Sequence, residues 1–250
     1  MDVFHPMIDE IRVFMQRNKD QGLCREFTVQ SPVNWPRSGP RDIVLLPDLA
    51  VDLGHPDDAS LSFLVWTDDD KKVMDNRISL IGPDIGEGNR PRLPFGKVVL
   101  VKTEPCDEEL VYDRYRDMDL TRFDLSLKGY MLRATSQYMR EWSRISLEAV
   151  KHGFSLSILG SALITALKEH PYVQAAEVMF ITRSNDDVNA LRDQGHTANR
   201  LILAMNKMIK EMDADCGSCD YQDVCSDASE MQALKKTLNE KRNRERTHAN

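Results

Sequence analysis

Leu61-Ser-Phe-Leu-Val-Trp66 and Lys97-Val-Val-Leu-Val101 are two apolar, β-prone runs in the first half of the chain. The same texture recurs at residues 43–46 and 77–81, and Pro, Gly and Asp residues punctuate the chain between these runs. Short apolar runs bounded by turn residues are typical of strands. We therefore expect a sheet built from residues 25–102, with the acidic stretch 68–72 as a turn.

Helical patterns lie on both sides of this region. Residues 3–19 carry apolar side chains at helical spacing, and helices are also predicted at 107–151, ending at Gly153, and at 157–170, 186–212 and 229–242. Residues 176–182 are expected to return as a buried strand. Strands early and helices late predict an α+β fold, with a mixed sheet from the N-terminal half packed against long C-terminal helices. The expected division is an α+β domain over 1–213 and a cysteine cluster loop with a C-terminal helix over 214–250.

Composition narrows the class of partner. The 250-residue chain has a formal net charge of −7, which argues against nucleic acid, because phosphate binding needs a basic surface. It has neither an apolar run long enough to span a bilayer nor a signal-peptide pattern at its start, so no membrane partner is expected. Five cysteines, an odd number with three clustered, do not indicate a disulfide framework. These features predict a protein of the reducing cytoplasm.

The clustered cysteines are Cys216, Cys219 and Cys225, in C-x2-C-x5-C spacing. Thiolates this close together normally hold a metal, and we interpret them as ligands of an iron–sulfur cluster of the 4Fe-4S type. Zinc is the competing interpretation, but zinc usually requires four protein ligands, often as two C-x2-C pairs. The fourth ligand stays open between Cys24, Cys106, a histidine, a small exogenous ligand and a partner chain. An iron left open for chemistry is a further alternative.

Three segments resemble a known family. Ile81-Gly-Pro-Asp-Ile85, then Leu93-Pro-Phe-Gly96, then the stretch from Trp142-Ser-Arg144 to Gly153-Phe154 follow the order seen in the acetyl-CoA synthase β subunit of CO dehydrogenase/acetyl-CoA synthase complexes. The resemblance covers roughly residues 75–225. It implies that Cys216 and Cys219 correspond to the cysteine pair that opens the iron–sulfur half of the family's nickel-containing cluster.

The cysteines of this sequence also differ from the family's pattern. The third cysteine follows after a shorter gap, a fourth downstream cysteine is absent, and the nickel-binding Cys-Gly-Cys motif occurs nowhere in the sequence. The resemblance therefore implies a stand-alone, truncated relative in which acetyl-CoA synthesis by this chain alone is not expected. An accessory or electron-transfer role in anaerobic one-carbon metabolism is expected instead. The partner would be a redox protein or a CO dehydrogenase/acetyl-CoA synthase-like protein.

A second candidate site lies on the predicted helix 107–151. Arg133, Arg140 and Arg144 fall on one stripe of that helix, and Arg side chains suit the phosphates of a coenzyme A-like ligand. Trp142 matches a family tryptophan and is counted with them. The alternatives are a solvated charged face for the arginines and a core anchor for the tryptophan. The sequence identifies no catalytic residue.

Other patterns in the sequence favour simpler structures or competing functions. The glycines of residues 85–89 favour a turn over a phosphate loop, and Asp52, His55, Asp57 and Asp58 favour a polar loop over a metal site. A structural module, in which a zinc or iron–sulfur centre clips the C-terminal helix to the body, is the main non-enzymatic alternative. An iron-staple nuclease, with Pro56-Asp57 and Asp69-Asp70-Lys71 as its metal site, is the weaker one. If a cluster binds, Asp215, Asp220, Tyr221 and Asp223 are predicted to tune its potential.

Overall fold

The structure is a computed structural model that describes residues 3–30, 46–107, 110–136, 139–210 and 219–227, with residues 231, 233, 235–237, 239, 240 and 244. Its elements, in chain order, are α1 (His5–Asp20), β1 (Cys24–Thr28), β2 (Ala50–Leu53), β3 (Ser60–Thr67), β4 (Arg77–Ile81), β5 (Arg92–Leu93), β6 (Phe95–Thr103), α2 (Val111–Asp124), β7 (Tyr130–Thr135), β8 (Glu141–Ser146), α3 (Leu147–Lys151), α4 (Leu156–Leu167), β9 (Val173–Ile181), α5 (Asn185–Asn189), α6 (Arg192–Lys210) and α7 (Gln222–Asp227). The mixture of strands and helices confirms the α+β class.

The central sheet has five strands in the order β1-β4-β9-β6-β3. Strand β4 is parallel to β9 and β6 is parallel to β3, whereas the remaining pairs are antiparallel. The predicted runs at 61–66, 77–81 and 97–101 all lie in this sheet, as does the returning strand β9. Nearly every residue of β3, β4, β6 and β9 is buried, which explains why these strands are continuous apolar runs instead of alternating ones.

Helices cover both faces of the central sheet. Gly160 of α4 lies so close to β4 that an added Cβ would meet the Ile78 side chain at 2.9 Å. Gly195 of α6 comes equally close to Leu61 and Phe63 of β3. The strand register places Leu64, three strands away, on the same face as Ile78, and Leu61 and Phe63 on the opposite face. Helices α4 and α6 therefore enclose the sheet from opposite sides.

A second sheet, in the order β5-β2-β8-β7, carries most of the polar side chains considered below. Its strand β8 begins against the edge of the central sheet, where Ser60 Oγ donates to the backbone oxygen of Glu141 at 2.6 Å and accepts from its backbone nitrogen at 2.9 Å. The amide of Ser62 donates to the backbone oxygen of Met139 at 2.6 Å. The two sheets thus meet at β3 and the start of β8.

The predicted helix over residues 107–151 is wrong. The region contains α2, the antiparallel pair β7–β8 and the short helix α3. Gly153 does follow a helix in the left-handed conformation, with φ of 88°, but that helix is α3. Arg133, Arg140 and Arg144 therefore do not share a helical stripe: Arg133 lies on β7, Arg144 on β8, and Arg140 directly precedes β8.

The other expectations are mostly confirmed. The helix at 3–19 is α1, the helix at 157–170 is α4, the stretch 68–72 is a turn, and the helix at 186–212 is divided into α5 and α6. Strands β1, β2 and β5 were not predicted individually. Residues 43–45, 211, 212 and most of 229–242 lie outside the described residues. Among the helices of the described residues, none is long and apolar enough to cross a membrane.

The Gly-Pro-Asp-Ile segment acts as a structural junction. Asp84 Oδ1 accepts hydrogen bonds from the backbone nitrogens of Ile85 at 2.7 Å and of Leu156, the first residue of α4, at 2.8 Å. The N-cap residue Ser155 makes no side-chain capping bond, so Asp84 satisfies the free end of α4 from a distant part of the chain. Asp84 of the 81–85 segment therefore binds the start of α4, two residues after the family-like segment 142–154 ends.

Replacing Asp84 by alanine is expected to lower the free energy of unfolding by about 1 kcal/mol, because a helix cap is lost. Burial raises the pKa of Asp84 despite its two amide donors. The charged form is therefore disfavoured in the fold, and stability contributed by this group rises as pH falls through its raised pKa. Asparagine keeps the acceptor without the charge, so Asp84→Asn should match or exceed the parent at pH 7 and lose that advantage in acid. Urea denaturation across pH tests this, and an asparagine variant as unstable as the alanine variant at pH 7 would contradict it.

Candidate metal centre and ligand-binding surface

Two of the three clustered cysteines lie in the described residues. Cys219 precedes α7 and Cys225 lies within it, and both side chains are half-buried. The backbone nitrogen of Gln222 donates to the Cys219 carbonyl at 3.1 Å, and that of Cys225 to the Tyr221 carbonyl at 3.1 Å. Cys216 lies outside the described residues. The structure therefore gives the setting of Cys219 and Cys225.

This segment is held against α6 by one arginine. The Arg200 guanidinium donates from both Nη atoms to the Asp223 carboxylate, each at 2.6 Å, and from Nη2 to the Asp220 carbonyl at 2.9 Å. The hydrogen bonds from Arg200 lower the pKa of Asp223. Tyr221, Val224 and Cys225 are partly buried against the core. Sequence reasoning did not find Arg200, because a single arginine in a helix carries no motif.

The donor chemistry of the segment suits an iron–sulfur cluster or zinc. Cys219 and Cys225 are soft sulfur ligands, which both metals accept when the thiols are deprotonated. Among the residues that the structure describes, no group of three or more His, Cys, Asp or Glu side chains is arranged to hold a metal ion. Neither Cys24 nor Cys106 is therefore placed with both Cys219 and Cys225.

Cys24 and Cys106 lie at opposite ends of the central sheet. Strand pairing aligns Cys24 with the Gly96 end of β6, whereas Cys106 follows Thr103 at the other end, a separation of more than about 20 Å along the strand. Burial raises the pKa of both thiols, which disfavours the thiolate form. One centre can take at most one of these two cysteines.

The second candidate site forms around Trp142, although not on a helix. Arg133 and Arg144 place their guanidinium carbons 5.1 and 5.3 Å from the centroid of the Trp142 ring. The His55 ring meets the same indole edge-on at 5.3 Å. Arg140 lies apart from this ring contact and donates from Nη2 to the carbonyls of Pro56 at 3.0 Å and Asp58 at 2.9 Å, which fixes the 55–58 loop. We call Arg133, Trp142, Arg144 and His55 the Trp142 surface.

Arg133 reaches the indole because it sits in a β-bulge. Leu132 pairs with Ser143 and Ala134 pairs with Trp142, so Arg133 is the extra residue of β7. A bulge redirects a side chain relative to the regular alternation of a strand, and such irregularities are common next to functional sites. Arg133 is exposed, and within the described part of the chain its contact is the Trp142 ring.

Arg144 is committed to a buried carboxylate. Its Nε donates to Asp52 Oδ1 at 2.7 Å, and Trp142 Nε1 donates to the same oxygen at 2.8 Å. Asp52 lies on strand β2 and not in the expected polar loop. The charge of Arg144 is thereby largely neutralised, so that Arg133 is the cation of the Trp142 surface best placed to meet an anionic ligand.

A buried ion pair lies behind this surface. Lys97 of β6 donates to both carboxylate oxygens of Glu141, at 2.7 and 2.6 Å, and both side chains are almost inaccessible to solvent. Ser62 Oγ adds a hydrogen bond to Glu141 at 2.8 Å. Burial acts to raise the pKa of Glu141, but the charges of Lys97 and Arg122 outweigh burial and hold that pKa below its ordinary value. The pair joins the central sheet to the second sheet.

The nuclease interpretation loses its structural context. Asp69, Asp70 and Lys71 lie in the turn after β3 rather than on a strand, and Asp57 is bound by Arg92 Nη1 at 2.8 Å. A catalytic metal needs its carboxylates converging on one point, and these do not converge within the described residues.

Comparison with known families agrees with the fold. Residues 42–187, more than half of the chain, match the family described as CO dehydrogenase/acetyl-CoA synthase complex beta subunit. The chain therefore belongs to this family, as the quoted segments predicted. The match includes the Gly-Pro-Asp-Ile junction and the Trp142 surface, and it ends before the cysteine run. No curated protein matches the sequence.

Proposed function

We propose that the protein carries an iron–sulfur cluster on Cys216, Cys219 and Cys225 and serves as an electron-transfer or accessory component of anaerobic one-carbon metabolism in the cytoplasm. The observation that carries this proposal is the C-x2-C-x5-C run in a member of this family, with Cys219 and Cys225 on a segment already docked on α6 by Arg200. A cluster bound there would take one electron from a reduced partner protein and pass it to an oxidised one.

The contacts of the segment favour a redox centre over a structural clip. A clip is needed where nothing else attaches the chain, whereas here an ion pair and three partly buried side chains attach residues 220–225 to the body. Nickel chemistry is not proposed for this chain, because the sequence lacks the Cys-Gly-Cys motif.

Metal analysis of the anaerobically purified protein tests this proposal. Iron, inorganic sulfide, nickel and zinc would be measured, together with the electron paramagnetic resonance spectrum of the reduced protein. About four irons and four sulfides per chain and a cluster signal are expected. One zinc per chain with no sulfide would contradict the proposed redox centre and indicate a structural zinc module instead.

A second candidate function is binding of coenzyme A at the Trp142 surface. The observation that favours it is Arg133, which the bulge places over an indole beside a buried Arg144. Aromatic rings stack on an adenine base and Arg side chains bind phosphate, so this pair suits a nucleotide-containing thiol. In this arrangement Arg144 and Asp52 hold the ring, and Arg133 contacts the ligand.

Arg133→Gln is expected to weaken coenzyme A binding about tenfold to hundredfold, because a charge-assisted hydrogen bond contributes about 1.5–3 kcal/mol. Isothermal titration calorimetry of the parent and the variant measures the change. Arg116→Gln is the matched control, since Arg116 is an exposed arginine on α2. Equal affinities for parent and Arg133→Gln, or no binding by the parent, would remove this candidate.

A further inference from the structure

Beyond α6, Arg200 binds the interval between the two described cysteines. Asp220, whose carbonyl it binds, directly follows Cys219, and Asp223, whose carboxylate it binds, lies two residues before Cys225. Three hydrogen bonds from one planar guanidinium fix both the position and the orientation of this interval. A lysine ammonium at the same place would supply a point charge without the fork geometry.

The opposite side of the same interval packs against the body. Tyr221, Val224 and Cys225 are partly buried against the apolar core, whereas Asp223 is exposed. The short helix α7 is therefore held by apolar contacts on one side and by Arg200 on the other. Six helical residues are too few to be stable alone, so these contacts decide whether Cys219 and Cys225 keep a fixed relation.

We infer that Arg200 is the positioning residue of the cysteine run: it orders the Cys219–Cys225 interval on α6 so that the thiolates meet the cluster in one arrangement. This inference rests on the proposed function for its role, but the ordering itself is a property of the metal-free chain. A positive charge beside the run also favours the reduced cluster, because reduction adds negative charge, and Asp223 opposes that effect.

Hydrogen exchange of the metal-free protein tests the ordering. Arg200→Gln is expected to make the amides of residues 221–227 exchange about twofold to fivefold faster, as loss of an exposed bidentate ion pair predicts. Arg200→Lys should fall between the parent and Arg200→Gln. Arg192→Gln, an exposed position on the same helix, is the matched control and should leave these amides unchanged. The exchanged pair Arg200→Asp with Asp223→Arg should restore part of the protection that each single change removes.

The iron-loaded protein gives a second readout. Arg200→Gln should release iron faster to a chelator and lower the midpoint potential, whereas Asp223→Asn should raise the potential. A structural defect alone would move both potentials in the same direction. The inference would be overturned if the amides of residues 221–227 exchanged hydrogen equally fast in Arg200→Gln and Arg192→Gln. It would also be overturned if the double variant Arg200→Asp with Asp223→Arg restored no protection. If the parent binds neither iron nor sulfide, the proposed function fails, and hydrogen exchange alone then decides whether Arg200 orders the segment.

Discussion

Cys219→Ala is expected to remove nearly all bound iron and sulfide and the electron paramagnetic resonance signal of the reduced protein. Removing one of the three clustered thiolates leaves two in the run, and these two with one ligand from elsewhere are too few for a cluster that normally takes four. Because Arg200, Tyr221 and Val224 attach the segment independently, the variant should keep the parent's circular dichroism spectrum. Iron and sulfide assays on anaerobic preparations measure the loss.

Cys24→Ala and Cys106→Ala are the controls for this experiment. Their thiols lie at opposite ends of the central sheet, so at most one of the two substitutions should reduce the iron content. If both variants keep full iron, the fourth ligand comes from neither. A Cys219→Ala protein that retains four irons and the parent's spectrum would show that the run does not bind the cluster.

Glu141→Ala is expected to destabilise the protein by about 3–5 kcal/mol, because it leaves the buried Lys97 ammonium without its counter-charge. Urea denaturation followed by circular dichroism measures the difference. A loss of this size is a large part of the free energy of unfolding of a typical domain, so Glu141→Ala could fail to fold. Glu141→Gln is the second variant, because it removes the charge and keeps the shape of the side chain. The double change Lys97→Met with Glu141→Leu should recover most of the loss, because no buried charge remains unpaired.

The exposed pair of Asp113 with Arg116 is the matched control for this prediction. Asp113→Asn should change stability by less than about 1 kcal/mol. The pH dependence has a definite sign. Because the pKa of Glu141 is lowered in the fold, its contribution is present above its unfolded pKa and is lost as pH falls through the folded value. A Glu141→Gln protein as stable as the parent at pH 7 would contradict the prediction.

The central sheet could be predicted because its strands are buried on both faces. Runs such as 61–66 and 97–101 need only apolar, β-prone side chains between turn residues, and that pattern is visible in the sequence. Strand β8 could not be found in this way. Its buried residues include Glu141 and Arg144, whose respective partners Lys97 and Asp52 lie far away in the chain. A polar residue that a distant partner allows to be buried follows the pattern of an exposed residue, so the sequence predicts a helix with a charged face in this region.

The candidate sites were predictable to different degrees. The grouping of Arg133, Trp142 and Arg144 was expected for the wrong reason, since strand pairing and a bulge bring them together instead of helical spacing. Arg140 was counted with them but binds the 55–58 loop. The spacing of the cysteines indicates a metal site in the sequence alone. Arg200 carries no such pattern, and its role follows only from the contact between α6 and α7 in the structure.

The position of the Lys97–Glu141 pair limits how this protein can be divided. A fragment carrying β5, β2, β8 and β7 without the central sheet would lose both the Lys97 cation and the surface of β3 and β6 that covers Glu141, so the Trp142 surface is not a transplantable module. Grafting that surface onto another scaffold would require either a lysine supplied from outside the second sheet or an apolar replacement of Glu141. The two sheets therefore have to be transferred together in any redesign.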